Sequence, residues 1–276
     1  MPEGPELAHS RDRLKRLIEG RAVIDFKAGP AGRYLKTAPV GLPGFLTSKH
    51  RVEEVGTHGK FMWWAFDTGW YLHCTYGMSG GWFTSPSKHT AAVVEYNGSG
   101  VPITRDSQHL FFNDPRHFGT LKFVKGEAEH LKKLRTLGPC ILSSQVTPEI
   151  FASRMLGKPQ RTLAEILMDQ SCVAGVGNYL RAEILFDCKI DPWKKVKDLT
   201  ALEYVKLREA SINIAKASYE SQGASIKTYK SVEGFNGKAQ FAFKVYGKNL
   251  CPQEHKITRQ KDGNGRMIHW CEYCQA

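Results

Sequence analysis

The chain has 276 residues, with 39 Lys plus Arg against 27 Asp plus Glu and a formal net charge of +12. It holds no apolar run near the roughly 20 residues needed to cross a bilayer and no charged-then-apolar leader pattern. This excludes a membrane-spanning helix, predicts a soluble, intracellular monomer in nucleus or cytoplasm according to the host, and makes a polyanion the expected partner. The length allows one to three domains with real cores.

Residues 5–19 read as a helix. Pro5 suits its first turn, Leu7, Leu14, Leu17 and Ile18 share a face, and Gly20 can end it. From about 22 to 125 the pattern becomes short β-rich runs, KFMWWAFD, WYLHCTY, TAAVVEY, HLFFND and TLKFVKG, divided by turns rich in Gly, Asn, Asp and Ser. Many short strands at this spacing predict a sandwich or barrel. The stretch TLGPCILSSQVTPE (136–149) reads as a linker. Thr147 with Pro148 then starts a helix, LAEILMDQ and YLRAEILF read as helices, and VAGVGN is the glycine-rich break between them. Thr200 and Glu203 form a capping box before a long helix that should end near Gly223. Two short strands around KDGNG close the chain. The expected organisation is multidomain α/β: an N-terminal helix with a β-sandwich or barrel (1–135), a linker (136–149), a helical domain (150–242) and a small metal-bound hairpin (243–276).

The seven cysteines are odd in number, and Cys251, Cys271 and Cys274 cluster near the end. That pattern reads as a metal site plus free thiols rather than a disulfide framework. The motif is Cys251-x3-His255-x15-Cys271-x2-Cys274. Zinc takes four sulfur or nitrogen ligands tetrahedrally, and a close pair at each end of a hairpin supplies them. The turn Asp262-Gly263-Asn264-Gly265 would bring the pairs together. Four protein ligands leave no open position, so one structural zinc per chain is expected. Arg266, directly after that turn, is placed to grip a phosphate. In VAGVGN, Gly175 and Gly177 permit close backbone approach, and a helix starting at Asn178 would offer free N–H groups to a phosphate. At the start of the chain, Pro2 stands beside Glu3. If Met1 is removed, the proline nitrogen becomes a secondary α-amine, able to attack an aldehyde-level carbon and form an iminium, with Glu3 moving a proton alongside.

These stretches resemble the formamidopyrimidine-DNA glycosylase/endonuclease VIII family of DNA repair enzymes, nearly end to end. PEGPE is similar to its N-terminus, GKFMWW to its lysine-bearing strand, and GMSG and DPRHFG to its two void-filling loops. LMDQSCVAGVGNYLRAEILF resembles its helix–two-turn–helix element and GRMIHWCEYCQ its zinc-hairpin end. The resemblance implies a bifunctional DNA glycosylase and abasic-site lyase of base excision repair, acting on damaged DNA in duplex, and also in single-stranded or bubble form. Pro2 would be the Schiff-base nucleophile, Glu3 the acid that opens the deoxyribose, and Lys60 an aid to elimination. Met78, Arg116 and Phe118 would fill the hole left by an extruded base. Asn178 and Arg266 would clamp the flanking phosphates, with Arg266 aiding the second elimination. GNYLRAEIL resembles the endonuclease VIII-like branch and tilts the expected lesions towards oxidised pyrimidines. Three departures stand out: His255 replaces a cysteine common in bacterial members, His117 a common second arginine, and Ala164 stands near a frequent lysine. The rival expectation is a non-catalytic, zinc-dependent damaged-DNA-binding protein on the same scaffold.

Overall fold

The computed structural model describes residues 1–97, 107–143, 146–223, 232 and 243–275; the boundary expected at 242 and residues 144–145 of the expected linker lie outside them. It divides into two compact units. One is built on Met1–Pro2 and Glu6–Arg135, the other on Glu3–Pro5 and most of the described residues after 135.

In the first unit, α1 (Gly4–Ile18) buries Leu7, Leu14 and Ile18, the apolar face that the sequence predicts. Eight antiparallel strands follow: β1 (Ala22–Ala28), then, after a short α2 (Leu42–Phe45), β2 (His50–His58), β3 (Phe61–Phe66), β4 (Trp70–Thr75), β5 (Gly81–Phe83), β6 (Thr90–Asn97), β7 (Ser107–Asn113) and β8 (Thr120–Lys125). Their order is β5-β7-β6-β1-β2-β3-β4-β8. Strands distant in that order nevertheless touch. Phe26 of β1 meets Phe123 of β8 edge-on at 5.0 Å between ring centroids, and Trp64 of β3 meets Trp82 of β5 at 4.8 Å. The ladder therefore folds over where β1 and β2 share only a short register, Ala22 opposite Arg51 and Val23 opposite His50. Two four-stranded layers enclose one aromatic-rich core, a β-sandwich.

The period-two pattern does not single out β2. Its register slips between Val52 and Glu54, and the bulge lets both Val52 and Val55 face the core. Regular pleating would send residues three apart to opposite faces.

A last helix of this unit, α3 (Glu127–Arg135), docks on β4. His130 stacks on Tyr71 at 4.4 Å, and its Nδ1 lies 3.2 Å from His73 Nε2. Burial first, then the neighbouring His130, Lys122 and Lys133, push His73 down to about 4 from 6.5. The fold thus holds His73 neutral. Its contribution is complete above pH 6.5 and is lost as pH falls from there towards 4, because the unfolded chain takes up the proton first. The loss is on the order of 3 kcal/mol. Denaturant titrations at pH 7 and pH 4.5 should therefore show His73→Phe losing less stability than the parent over that interval; equal losses would refute the assignment.

In the second unit, α4 (Pro148–Leu156) starts where Thr147 accepts the Ile150 N–H at 3.3 Å. Then come α5 (Leu163–Ile166), α6 (Asn178–Cys188) and α7 (Ala201–Glu220), the last opened by the Thr200–Glu203 capping box. The sequence run LAEILMDQ is helical only over its first four residues. The reason is Asp169, which bends the chain by accepting the Ser171 N–H at 3.0 Å and the Lys158 ammonium at 2.6 Å. Residues 179–186 of α6 are all buried, as befits the central element of a core. The chain ends in a hairpin, β9 (Thr258–Lys261) paired with β10 (Met267–Trp270). Its apolar side, with Val245, Cys251, Ile257 and Cys271, packs on Ala182 and Phe186 of α6. No helix among the described residues is long and apolar enough to cross a membrane.

Candidate functional site

The glycine-rich break expected to cradle a phosphate holds the protein's own carboxylate instead. Glu3 is 1% exposed. Its Oε2 accepts the Gly177 N–H at 2.7 Å and the Leu180 N–H at 3.2 Å, and its Oε1 the Tyr179 N–H at 2.9 Å. These are the donors that a helix start leaves without partners inside the helix, and the positive end of α6 favours an acid there. The approach is so close that a Cβ on Gly177 would lie 2.2 Å from the Glu3 Cδ. Gly4 N–H donates to Gly175 O at 2.9 Å, stitching the same segment down. The backbone amides Gly177, Tyr179 and Leu180 are thus committed to Glu3, and the side chain of Asn178 at the same helix start stays half-buried.

Two further residues of α6, unassigned by sequence reasoning, tie the helix to the end of the chain. The Arg181 guanidinium is 0% exposed. It donates to Asn178 Oδ1 at 2.6 Å, Asp262 Oδ2 at 2.6 Å, Ala164 O at 2.7 Å and Met267 O at 3.0 Å. Burial would raise Asp262, but the Arg266 N–H and the Arg181 guanidinium outweigh it and hold this carboxyl below its ordinary value. Glu183, also buried, accepts the N–H groups of Lys244, Val245 and Tyr246 at 2.8, 3.0 and 2.8 Å. Burial is the main cause that raises its carboxyl, against those three amides. A charged pair inside an otherwise apolar helix, NYLRAEILF, was the available signal for both.

The hairpin turn is closed by Asp262, whose N–H donates to Arg266 O at 2.9 Å and whose Oδ1 accepts the Asn264 and Arg266 N–H groups, each at 2.9 Å. Gly265 takes φ +75°, which suits glycine. Arg266 stands exposed at the entry to β10. At the base, Cys251, His255, Cys271 and Cys274 place their ligand atoms within 4.8 Å of one another. Cys251 Sγ and Cys274 Sγ are 3.9 Å apart, and His255 Nδ1 lies 3.4 Å from Cys274 Sγ. A tetrahedral ion with metal–sulfur bonds near 2.3 Å would set sulfur–sulfur edges of about 3.8 Å and sulfur–nitrogen edges of about 3.5 Å. Three thiols and one imidazole at these separations fit a metal ion. Cys271 N–H is held by Gln275 Oε1 at 2.8 Å, and Gln275 in turn donates to Ile190 O at 3.2 Å.

In the first unit, the two loops GMSG and DPRHFG lie back to back. Gly77 has φ +59°, and a Cβ there would come 2.6 Å from the Phe118 carbonyl carbon. Arg116 Nη1 reaches Met78 Sδ at 3.6 Å, and Phe118 stands 57% exposed. Asp114 Oδ2 closes the second loop on the Gly119 N–H at 2.7 Å, and Arg33 donates to His117 O, where the backbone is left-handed at φ 58°. Pro2 is buried. Lys60 is not on a strand as GKFMWW suggests: with Gly59, at φ +60°, it forms the two-residue turn between β2 and β3, since His58 pairs with Phe61. The structure thus brings Met78, Arg116 and Phe118 together, and it joins Glu3, Asn178 and Arg266 through α6 and Asp262.

Comparison with known proteins gives a consistent answer over the whole chain. The profile of the formamidopyrimidine-DNA glycosylase N-terminal domain matches residues 1–121, and that of the formamidopyrimidine-DNA glycosylase H2TH domain matches residues 137–230. The formamidopyrimidine-DNA glycosylase of Thermus thermophilus is 32% identical over 282 residues, covering 100% of this chain and 99% of the relative. That of Listeria monocytogenes is 30% identical over 290 residues, covering 100% of both. The crystal structure of the MutM (Fpg) protein from Thermus thermophilus superposes with a TM-score of 0.84 at 31% identity, covering 99% of this chain and 98% of that one. A complex of the LlFpg protein, from Lactococcus lactis, with THF-DNA and an inhibitor gives a TM-score of 0.84 at 25% identity, covering 99% of each chain.

Proposed function

The chain belongs to the formamidopyrimidine-DNA glycosylase family, and from that premise we propose that it excises oxidised bases from DNA and then cuts the strand as an abasic-site lyase. The observation that carries this reading is Glu3, a buried carboxyl anchored by three backbone amides directly after Pro2. A carboxyl fixed in one position is suited to moving a proton at a reaction centre formed by its neighbour.

With Met1 removed, the Pro2 nitrogen attacks C1′ of an extruded lesion nucleotide. The C1′–N bond to Pro2 forms as the glycosidic bond breaks, its electron pair and the proton that the amine sheds going to the base; the freed nitrogen lone pair then breaks the C1′–O4′ bond, and Glu3 delivers a proton to the ring oxygen as the sugar opens. The iminium is the electron sink. Loss of a C2′ proton expels the 3′ phosphate, and loss of a C4′ proton expels the 5′ phosphate, the β- and δ-eliminations. Addition of water to the iminium and cleavage of the C1′–N bond return the free secondary amine. Lys60 assists the eliminations near sugar and phosphate. Asn178 and Arg266 hold the flanking phosphates, and Arg266 aids the second elimination. Cys251, His255, Cys271 and Cys274 hold one zinc ion; with four protein ligands it supplies rigidity to the hairpin and takes no part in the reaction. GNYLRAEIL supports the endonuclease VIII-like branch and, with it, oxidised pyrimidines and ring-opened purines ahead of intact 8-oxoguanine as substrates. Single-turnover assays over those lesions, scoring released base and doubly eliminated strand ends separately, test the reading. Release of no base from any of them would refute it.

The same assay tests the void fillers. Flipping a nucleotide costs a few kcal/mol and leaves the partner base unstacked. Arg116, braced on Met78, offsets that cost in duplex. Arg116→Ala should slow excision from paired DNA about tenfold or more, the equivalent of about 1.4 kcal/mol of stacking and pairing, and should leave single-stranded substrate much less affected. Equal slowing on both would mean that Arg116 serves the chemistry or the fold.

A further inference from the structure

We infer that Arg181 is the positioning residue of the phosphate grip, one buried guanidinium that aims both Asn178 and Arg266. The inference rests on the reading above, that these two side chains hold backbone phosphates. A guanidinium has only donors. Because Arg181 Nη2 donates to Asn178 Oδ1 at 2.6 Å, the asparagine must turn its oxygen inward, which leaves the amide NH2 as the end it can offer to a ligand. A phosphate oxygen only accepts, so the opposite amide orientation would repel it. Arg181 thereby decides which face of Asn178 is presented.

The other half of the guanidinium works through Asp262. Nη1 holds Asp262 Oδ2 at 2.6 Å, while Asp262 Oδ1 takes the N–H of Arg266 at 2.9 Å. Nη2 also holds the carbonyl of Met267, the residue after Arg266, at 3.0 Å. The backbone that bears Arg266 is pinned on both sides by groups that Arg181 orients. Stability alone does not call for this arrangement. Both partners have fully buried side chains, and buried ion pairs are often no better than well-packed apolar residues. Among the described residues Arg181 Nε has no partner, an added cost. What the pair supplies is direction.

A double-mutant cycle on the full, metal-loaded chain, with duplex DNA carrying a tetrahydrofuran abasic analogue as probe, tests this. Arg181→Gln should weaken binding about tenfold in the parent and under about threefold in an Asn178→Ala, Arg266→Ala background, since groups acting through one another do not add. It should also flatten the dependence of log affinity on log salt by about 0.9, the contribution of one mis-aimed cation. An equal loss in both backgrounds overturns the inference and makes Arg181 purely structural. If the Asn178→Ala, Arg266→Ala protein binds as tightly as the parent, the phosphate grip itself is wrong and the inference falls with it. Should Arg181→Gln not fold, Arg181→Lys carries the same cycle: it keeps the charge, but a single ammonium cannot reproduce the planar fork that reaches four acceptors. Parent-like binding by a folded Arg181→Lys would overturn the inference, and the same coupled loss would support it.

Discussion

Protein that retains Met1 should form no borohydride-stable adduct with abasic-site DNA, while protein with Pro2 as its mature terminus should form one in high yield. Retention turns the Pro2 nitrogen into a tertiary amide, whose lone pair is delocalised and cannot attack C1′. The nucleophile is then removed without touching any side chain, so a loss of at least about 100-fold in trapped adduct is expected. Pro2→Gly offers a second arm, since a processed glycine still has an amine, whereas a poorly processed one has none. Mass spectrometry of the terminus, run beside the trapping gel, ties yield to processing. Full-strength adduct on a blocked terminus would sink the assignment of Pro2 and point to a lysine, with Lys60 the first to examine. DNA affinity should change little between the two forms, because Asn178 and Arg266 are untouched. The rival view, a protein that binds damaged DNA without cutting it, predicts no adduct from either form.

Removing the metal should be the other large effect. Structural zinc supplies roughly 10–16 kcal/mol to small domains that depend on it. Here Cys251 and Cys271 also belong to the apolar cluster that seats the hairpin on Ala182 and Phe186 of α6. Cys271→Ser should lower metal content from about one ion per chain to near zero. It should loosen the hairpin and weaken binding to abasic-analogue duplex by about 100-fold, because Arg266 loses its platform while most of the remaining cationic surface stays. Amide exchange should quicken across β9 and β10 and remain slow in the sandwich, whose core is separate. Metal-free protein with unchanged affinity would refute the link between this cluster and DNA binding. His255→Cys offers a gentler check: it restores an all-thiolate set and should keep the ion.

Some of this protein was legible in its sequence because the information is local. The apolar face of α1, the Thr147 and Thr200 caps, the β-rich runs that form β3, β4, β6, β7 and β8, and the close pairs Cys251/His255 and Cys271/Cys274 each depend on residues a few positions apart, where backbone geometry converts spacing directly into a shared face or a pair of metal-ligand types. The tight turn at Asp262–Gly265 is of the same kind. Tertiary structure decided the rest. Glu3 meets amides 174 to 177 positions away, and nothing in PEGPE reveals that the helix start at Gly177 is its partner. The pattern suggested an open phosphate cradle there because a glycine-rich break looks alike whether its donors face solvent or a buried carboxylate. Arg181 and Asp262 stand 81 positions apart. Each read alone is an ordinary helix or turn residue, and only their burial side by side makes them a unit. The bulge in β2 and the placement of Lys60 in a two-residue turn likewise follow from strand register, which pairing between distant segments sets. Spacing along a chain fixes what neighbours can do together; which distant groups become neighbours is chosen when buried charges and helix ends must find partners in a core that offers no water.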